Sequence, residues 1–132
     1  MWGFDFDFFW RAARAVLQGQ SPYIVGGFFS PYPVALVLVP FALLPFAWAY
    51  GTWTALKLFL LARTGNGLTF VKAILFFPVA FDILQGQLDL LVFMIAMAPN
   101  WIGVTVSTLR PQLAIWIIPF SAWHWWVNKR YD

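Results

Sequence analysis

The polar positions near the beginning of the chain follow a helical period. Between Asp5 and Tyr23 the polar residues recur three or four positions apart, which places them on one side of a helix. That side contains Asp7, Arg11, Arg14 and Gln18, and the opposite side contains Phe6, Phe9, Ala13, Val16 and Leu17. The pattern predicts an amphipathic helix lying along an interface, which Gly19 and Pro22 then end.

The two acids of this helix differ in their partners. Asp7 has Arg11 one turn further along, at the spacing of a helical ion pair. Asp5 has no cation at helical spacing, and it lies at or just before the first turn, where the helix dipole favours a carboxylate. Asp5 is therefore predicted to be the freer carboxylate.

The rest of the chain is a series of apolar stretches separated by short polar or proline-containing breaks. The predicted stretches are Val34 to Ala62, Leu68 to Leu84, Leu88 to Ala98, Trp101 to Leu109 and Leu113 to Val127. The first contains one charge, Lys57, together with Pro40 and Pro45, so it is either one long kinked crossing or a tight hairpin. The third and fourth are too short to span a bilayer alone, which favours a re-entrant pair.

The composition of the chain indicates that these stretches are membrane segments. The 132 residues are 62% hydrophobic and only 10% charged, whereas an ordinary soluble domain is about 25% charged. The aromatic content of 21%, with nine tryptophans, suits interfacial aromatic belts, and His124 lies among the tryptophans of one of them. The net charge of +3 is too small and too dispersed to indicate nucleic-acid binding. Since the chain has no cysteine and one histidine, thiolate metal sites are excluded and a histidine-based metal site is not expected. No cofactor is predicted, and metal dependence stays open.

The sequence therefore predicts an all-α protein, a polytopic helical membrane protein formed by a single transmembrane domain over residues 1–132. Residues 1–27 are expected to form an outer juxtamembrane helix and loop, residues 28–127 the membrane helices, and residues 128–132 a cytoplasmic tail. Lys129 and Arg130 support this orientation, because basic residues are enriched on the cytoplasmic side of membrane proteins.

This orientation brings three polar segments to the outer face. If Val34 to Ala62 crosses once, the Asp5 helix and the polar breaks at residues 85–87 and 110–112 all lie outside. A hairpin in that stretch would instead put residues 85–87 on the cytoplasmic side, and this topology, with one more crossing, remains the alternative.

Aspartate and arginine residues in or beside the apolar stretches are the informative positions, because either residue at mid-bilayer costs about 2.5 to 3.5 kcal/mol. They are Asp82, Asp89 and Arg110. A helix that continued through residue 86 would place four residues on one face: Asp82, Gln85, Gly86 and Asp89. The structural alternative is that Asp82 or Asp89 pairs with Arg110 or Lys72.

Three groups of residues carry a resemblance to a known family. The first runs from Asp5-Phe6 to Pro22-Tyr23, an acidic residue followed by an aromatic helix; the second is Tyr32-Pro33 with the apolar run to Leu44-Pro45. The third consists of Gly86-Gln87 and, later, Arg110-Pro111-Gln112. In this order they resemble the C-type glycosyltransferases that use polyprenyl-phosphate sugars, and most closely glycosyltransferase family 87, which includes mycobacterial mannosyltransferases. Arg110 stands where the family usually has lysine.

The resemblance implies a partial C-type fold and the transfer of a hexose, with mannose the first candidate, from a polyprenyl-phosphate donor to a lipid or glycan acceptor with inversion. It makes Asp5 the catalytic base, Arg110 the residue that holds the phosphate, and Gln87 the residue that orients sugar or acceptor. Tyr32, Gln85 and Asp89 complete the expected substrate-binding set. The active face would be extracytoplasmic in the cell membrane, with membrane lipids as further partners and no nucleic acid.

Two other functions stay open at this point. No membrane helix precedes Asp5 as the family pattern requires, so the chain is expected to be a fragment of a transferase, and it could be an inert one. A small multispan transporter or channel subunit is the second class, in which Asp82, Asp89 and Arg110 would line a path.

Overall fold

The computed structural model describes residues 3–63, 66–96, 101–108 and 111–128, and this part of the chain is helical, with no strand. The all-α prediction is therefore confirmed for these residues. The helices are α1 (Phe4–Leu17), α2 (Tyr32–Val37), α3 (Val39–Ala42), α4 (Phe46–Arg63), α5 (Gly67–Leu75), α6 (Phe77–Gln85), α7 (Asp89–Ala96), α8 (Trp101–Ser107) and α9 (Pro111–Asn128), with a 3₁₀ helix at Pro22–Ile24.

The chain divides into two compact units, one that ends at Gln87 and one that begins at Leu88. In the first unit α1 packs against α2, α3, α4 and α6. In the second unit α7 packs against α8, as expected for a short helical pair, and α8 packs against α9. Residues 97–100, where the connection between α7 and α8 was predicted, lie outside the described residues.

Helix α1 has the predicted polar face and the predicted end. The Arg11 guanidinium lies 2.9 Å from the Asp7 carboxylate, which confirms that pair. The helix ends at Leu17, and Gly19 follows with a positive φ of 72°. The buried face comprises Phe6, Phe9, Ala12, Ala13 and Ala15. Leu17, predicted on the apolar side, is exposed because the chain turns away at that point.

Prolines break the stretch from Val34 to Ala62. Pro33 and Pro40 lie in the first turns of α2 and α3, and Pro45 directly precedes α4. A proline at these positions costs little, because the first N–H groups of a helix have no partner within the helix. The stretch is thus broken into three helices, of which only α4 is long.

The stretch from Leu68 to Leu84, predicted as one crossing, forms two helices instead of one. Helices α5 and α6 are bent by 77° relative to each other at Phe76, whose backbone is extended. Pro78 lies in the first turn of α6 and accounts for the new helix start. In the part of the chain that the structure describes, no individual helix has both the length and the apolar composition to cross a membrane, and α5 with α6 reaches them only as a bent pair.

The predicted polar face across residue 86 does not form. Helix α6 ends at Gln85, and Gly86 adopts the left-handed conformation with φ 74°, so no continuous helix aligns Asp82 with Asp89. Asp89 instead lies in the first turn of α7, where a carboxylate is favoured by the helix dipole.

Candidate functional site

The carboxyl end of α6 accepts hydrogen bonds from several other residues of the first unit. The last carbonyl groups of a helix have no partner within the helix and must find other donors when they are buried. The Asp82 carbonyl accepts the N–H of Gly86 at 2.9 Å and the N–H of Gln87 at 3.0 Å. Glycine permits this reversal because it adopts a positive φ without a Cβ clash.

Helix α4 supplies further donors to the same end of α6. The Tyr50 hydroxyl donates to the Leu84 carbonyl at 2.8 Å, and the Trp53 indole N–H donates to the Gly86 carbonyl at 3.1 Å. These two residues and Lys57 are three and four positions apart, so they share one face of α4. That face therefore acts as a cap for α6.

Lys57 makes the strongest contacts of this cap. Its ammonium donates to the Asp82 carboxylate at 2.7 Å, to the Asp82 carbonyl at 2.9 Å and to the Gln87 carbonyl at 3.1 Å. The Lys57 side chain is 0% exposed and the Asp82 side chain 6%. A charge buried this deeply requires a charged, hydrogen-bonded partner, and each of these two residues supplies it to the other.

The sequence offered Arg110 or Lys72 as alternative partners for Asp82, and Lys57 was not among them. Lys72 is exposed on α5, and Arg110 lies outside the described residues. The sequence did contain a signal for the actual partner. Lys57 is the single charge in a long apolar stretch, and such a residue needs an acid from a neighbouring stretch.

Helix α1 packs onto the capped end of α6 through Phe6, which is fully buried. The Phe6 ring lies 5.7 Å from the Trp53 ring and 5.9 Å from the Tyr50 ring, between centroids. A Cβ at Gly86 would come within 2.5 Å of the Phe6 Cβ, so only glycine allows this approach. The N–H of Gly3 donates to the Leu84 carbonyl at 2.9 Å, which fixes the start of α1.

These contacts bring together two residues that are 82 positions apart in the sequence. The Gln87 amide Nε2 donates to the Asp5 carboxylate Oδ2 at 2.7 Å, and both residues are half-buried. The bond is short, as expected for a hydrogen bond to a carboxylate. It engages Oδ2 and leaves Oδ1 as a second acceptor.

The other predicted site residues are more scattered. Gln85 is half-buried, and its Oε1 has no hydrogen-bond partner within the described residues. Tyr32 begins α2 and is exposed. Asp89 belongs to the second unit. The structure therefore joins Asp5 to Gln87, and Arg110, the predicted phosphate ligand, lies outside the residues that it describes.

Sequence reasoning missed the donors on α4. Tyr50, Trp53 and Lys57 form a helical stripe of hydrogen-bond donors, a pattern that matches the free carbonyls at a helix end. Gly86 marked such an end, because glycine is the usual residue just after a helix. Within the described ranges, no three His, Cys, Asp or Glu side chains come together as metal ligands.

The chain was compared with protein-family models, with curated proteins and with solved structures, and none of them matches it. The resemblance to the C-type glycosyltransferases accordingly rests on the residues named above.

Proposed function

We propose that this chain is part of a membrane glycosyltransferase of the C-type fold. It transfers a hexose, with mannose the first candidate, from a polyprenyl phosphate to a hydroxyl of a lipid or glycan acceptor. Asp5 is the catalytic base, and Gln87, which the resemblance assigned to sugar or acceptor, orients this carboxylate instead. The chain belongs to the cell membrane, with this site at the extracytoplasmic face.

The observation that carries the proposal is the hydrogen bond between Gln87 and Asp5. The family resemblance selects these two residues from separate motifs, one at each end of the first unit. Their direct contact is what a shared site requires, and the sequence spacing alone gives no reason for it.

The chemistry needs a single carboxylate. Asp5 Oδ1 accepts the proton of the acceptor hydroxyl as the acceptor oxygen forms a bond to the anomeric carbon. The bond from that carbon to the phosphate oxygen breaks, and its electron pair leaves with the phosphate. Attack opposite the leaving group inverts the anomeric centre, and a phosphate leaving group requires no general acid.

Gln87 gives the carboxylate one orientation. A carboxylate that accepts a hydrogen bond through Oδ2 has restricted rotation, so Oδ1 keeps a defined direction toward an acceptor. The structure of α1 adds to this restraint, because Phe6, the next residue, is buried against Trp53.

The departing phosphate needs a cation, and Arg110 is the proposed one. Lys57 does not serve in this role, because Asp82 already compensates its charge in a buried pair. Arg11 is likewise engaged by Asp7 on the exposed side of α1.

The apolar surface supports a membrane location. Large apolar side chains of the bent pair α5 and α6 are exposed, among them Leu75, Phe76 and Phe77. An exposed apolar surface of this kind indicates contact with lipid or with another protein. The transporter alternative receives no comparable support, since Asp82, expected to line its path, is buried against Lys57.

The test is sugar transfer by membranes that contain the chain within a complete transferase, with a labelled polyprenyl-phosphate mannose as donor. Asp5→Asn is expected to lower the rate by about a hundredfold or more, because loss of a general base typically costs that much. Asp7→Asn is the matched control. It removes a carboxylate two residues away that faces Arg11, and it should leave the rate within about twofold, as exposed ion pairs contribute little.

Two results would refute the proposal. One is equal transfer by the Asp5→Asn variant and the native chain. The other is no transfer by the complete native protein in membranes where a known polyprenyl-phosphate-dependent transferase uses the same donor.

A further inference from the structure

We infer that Lys57 is a positioning residue, which holds the backbone of Gln87 so that its side-chain amide reaches Asp5. The inference rests on the proposed role of Asp5 and extends it to a residue that the sequence motifs do not include. The observations that carry it are the three contacts of one buried ammonium group.

The backbone of Gln87 is held at both of its polar groups. Its N–H donates to the Asp82 carbonyl at 3.0 Å, and its carbonyl accepts from the Lys57 ammonium at 3.1 Å. The Lys57 ammonium also contacts the Asp82 carboxylate at 2.7 Å. Asp82, Lys57 and Gln87 thus form a closed ring of hydrogen bonds.

This ring is suited to hold one geometry. An ammonium has three N–H donors, and the ring offers three oxygens at hydrogen-bonding distance. Water cannot replace any of them, because Lys57 is completely buried. Hydrogen bonds to charged groups in a dry environment are stronger than those at the surface.

The effect on the site passes through the backbone. Gly86 is conformationally permissive, so the residue after it has no fixed direction unless another group restrains it. The Lys57 contact supplies that restraint one residue beyond Gly86. Without it, the Gln87 amide would sample positions away from Asp5.

The native chain has no cysteine, which allows a direct measurement. Asp5→Cys and Gln87→Cys are introduced together in the full chain in detergent micelles, and the rate of intramolecular cross-linking by a short bifunctional thiol reagent is measured. The same pair is then placed in a background that carries Lys57→Met and Asp82→Ala. This background removes both charges, so no unpaired charge stays buried.

The cross-linking rate is expected to fall roughly tenfold in that background, since a misplacement of about 1 Å lowers the rate of oriented reactions strongly. Lys72→Met is the control, because it removes an exposed lysine of α5 and should leave the rate unchanged. Circular dichroism checks that the helices are retained. An unchanged rate in the Lys57→Met and Asp82→Ala background would overturn the inference.

A milder substitution covers the case in which that background loses its helices. Lys57→Arg keeps the positive charge, but a planar guanidinium cannot place one nitrogen against all three oxygens. A fall of at least about twofold in the cross-linking rate is then expected, again by the misplacement argument. A native rate in this variant would equally overturn the inference.

Cross-linking does not depend on sugar transfer, so the two proposals can fail separately. A lowered cross-linking rate together with no transfer by the complete native protein would support the positioning role and refute the transferase. An unchanged cross-linking rate in the Lys57→Met and Asp82→Ala background, together with a large loss of transfer in Asp5→Asn, would refute the positioning role and support the transferase.

Discussion

Among the described residues of the first unit, two ion pairs of nearly equal length lie in opposite surroundings. Lys57 and Asp82 are 2.7 Å apart and almost completely buried. Arg11 and Asp7 are 2.9 Å apart, with 62% and 27% of their side chains exposed. The first pair joins α4 to the end of α6, whereas the second joins two turns of the same helix.

The difference shows that the surroundings of a pair decide its role more than its length does. An exposed pair within one helix is screened by water and adds little to stability. A buried pair between helices is held by the cost of leaving either charge alone. The buried pair can therefore organise the site next to it, and the exposed pair cannot.

The largest effect is expected from breaking the buried pair on one side. Lys57→Met leaves the Asp82 carboxylate buried without its cation, and we expect a loss of about 3 to 5 kcal/mol in the free energy of unfolding. Denaturant unfolding of the chain in detergent, followed by circular dichroism, measures it. The double variant Lys57→Met with Asp82→Ala should recover most of this loss, and a double variant as unstable as the single one would argue against a charge-based explanation.

A smaller loss is expected from Gly86→Ala, which tests the turn that connects the buried pair to Gln87. A positive φ costs a residue with a Cβ about 1 to 2 kcal/mol, and the clash with Phe6 adds to it, so we expect roughly 2 to 4 kcal/mol in total. Gly19→Ala is the matched control, since Gly19 has nearly the same φ and no atom within 4 Å of its Cβ position. Equal unfolding free energies of the two variants would remove Phe6 from the explanation.

The smallest effect is expected from the exposed pair. Arg11→Ala should change the free energy of unfolding by less than about 0.5 kcal/mol, as is typical of a pair one turn apart on a helix. The same unfolding measurement applies. A loss comparable to that of Lys57→Met would abolish the contrast between the two pairs.

Local patterns predicted the exposed pair and failed on the buried one. The Asp7 and Arg11 contact follows from their spacing of four residues, and the end of α1 follows from Gly19 and Pro22. The partner of Asp82 lies 25 positions away, and no local rule connects them. The same limit applies to Asp5 and Gln87, which a family resemblance associated but only the fold places in contact.

Two differences between the sequence predictions and the structure have a local cause in the sequence. The break between α5 and α6 follows from Pro78. Proline is tolerated in the first turn of a helix but disrupts a helix interior, so Pro78 favours the start of a new helix. The end of α6 follows from Gly86, so the face shared by Asp82 and Asp89 could have been rejected. Both regions are strongly apolar, and apolar length alone predicts a membrane crossing whether or not a proline or glycine interrupts the helix.

The most direct test of the account compares the two acids of α1 in an otherwise native chain. Cysteines are placed at positions 5 and 87 in one variant and at positions 7 and 87 in another, and their cross-linking rates are measured under identical conditions. Positions 5 and 7 are about 200° apart around a helix, and Asp5 is the acid in contact with Gln87. The account predicts much faster cross-linking for the pair at 5 and 87, and equal rates, or faster cross-linking at 7 and 87, would contradict it.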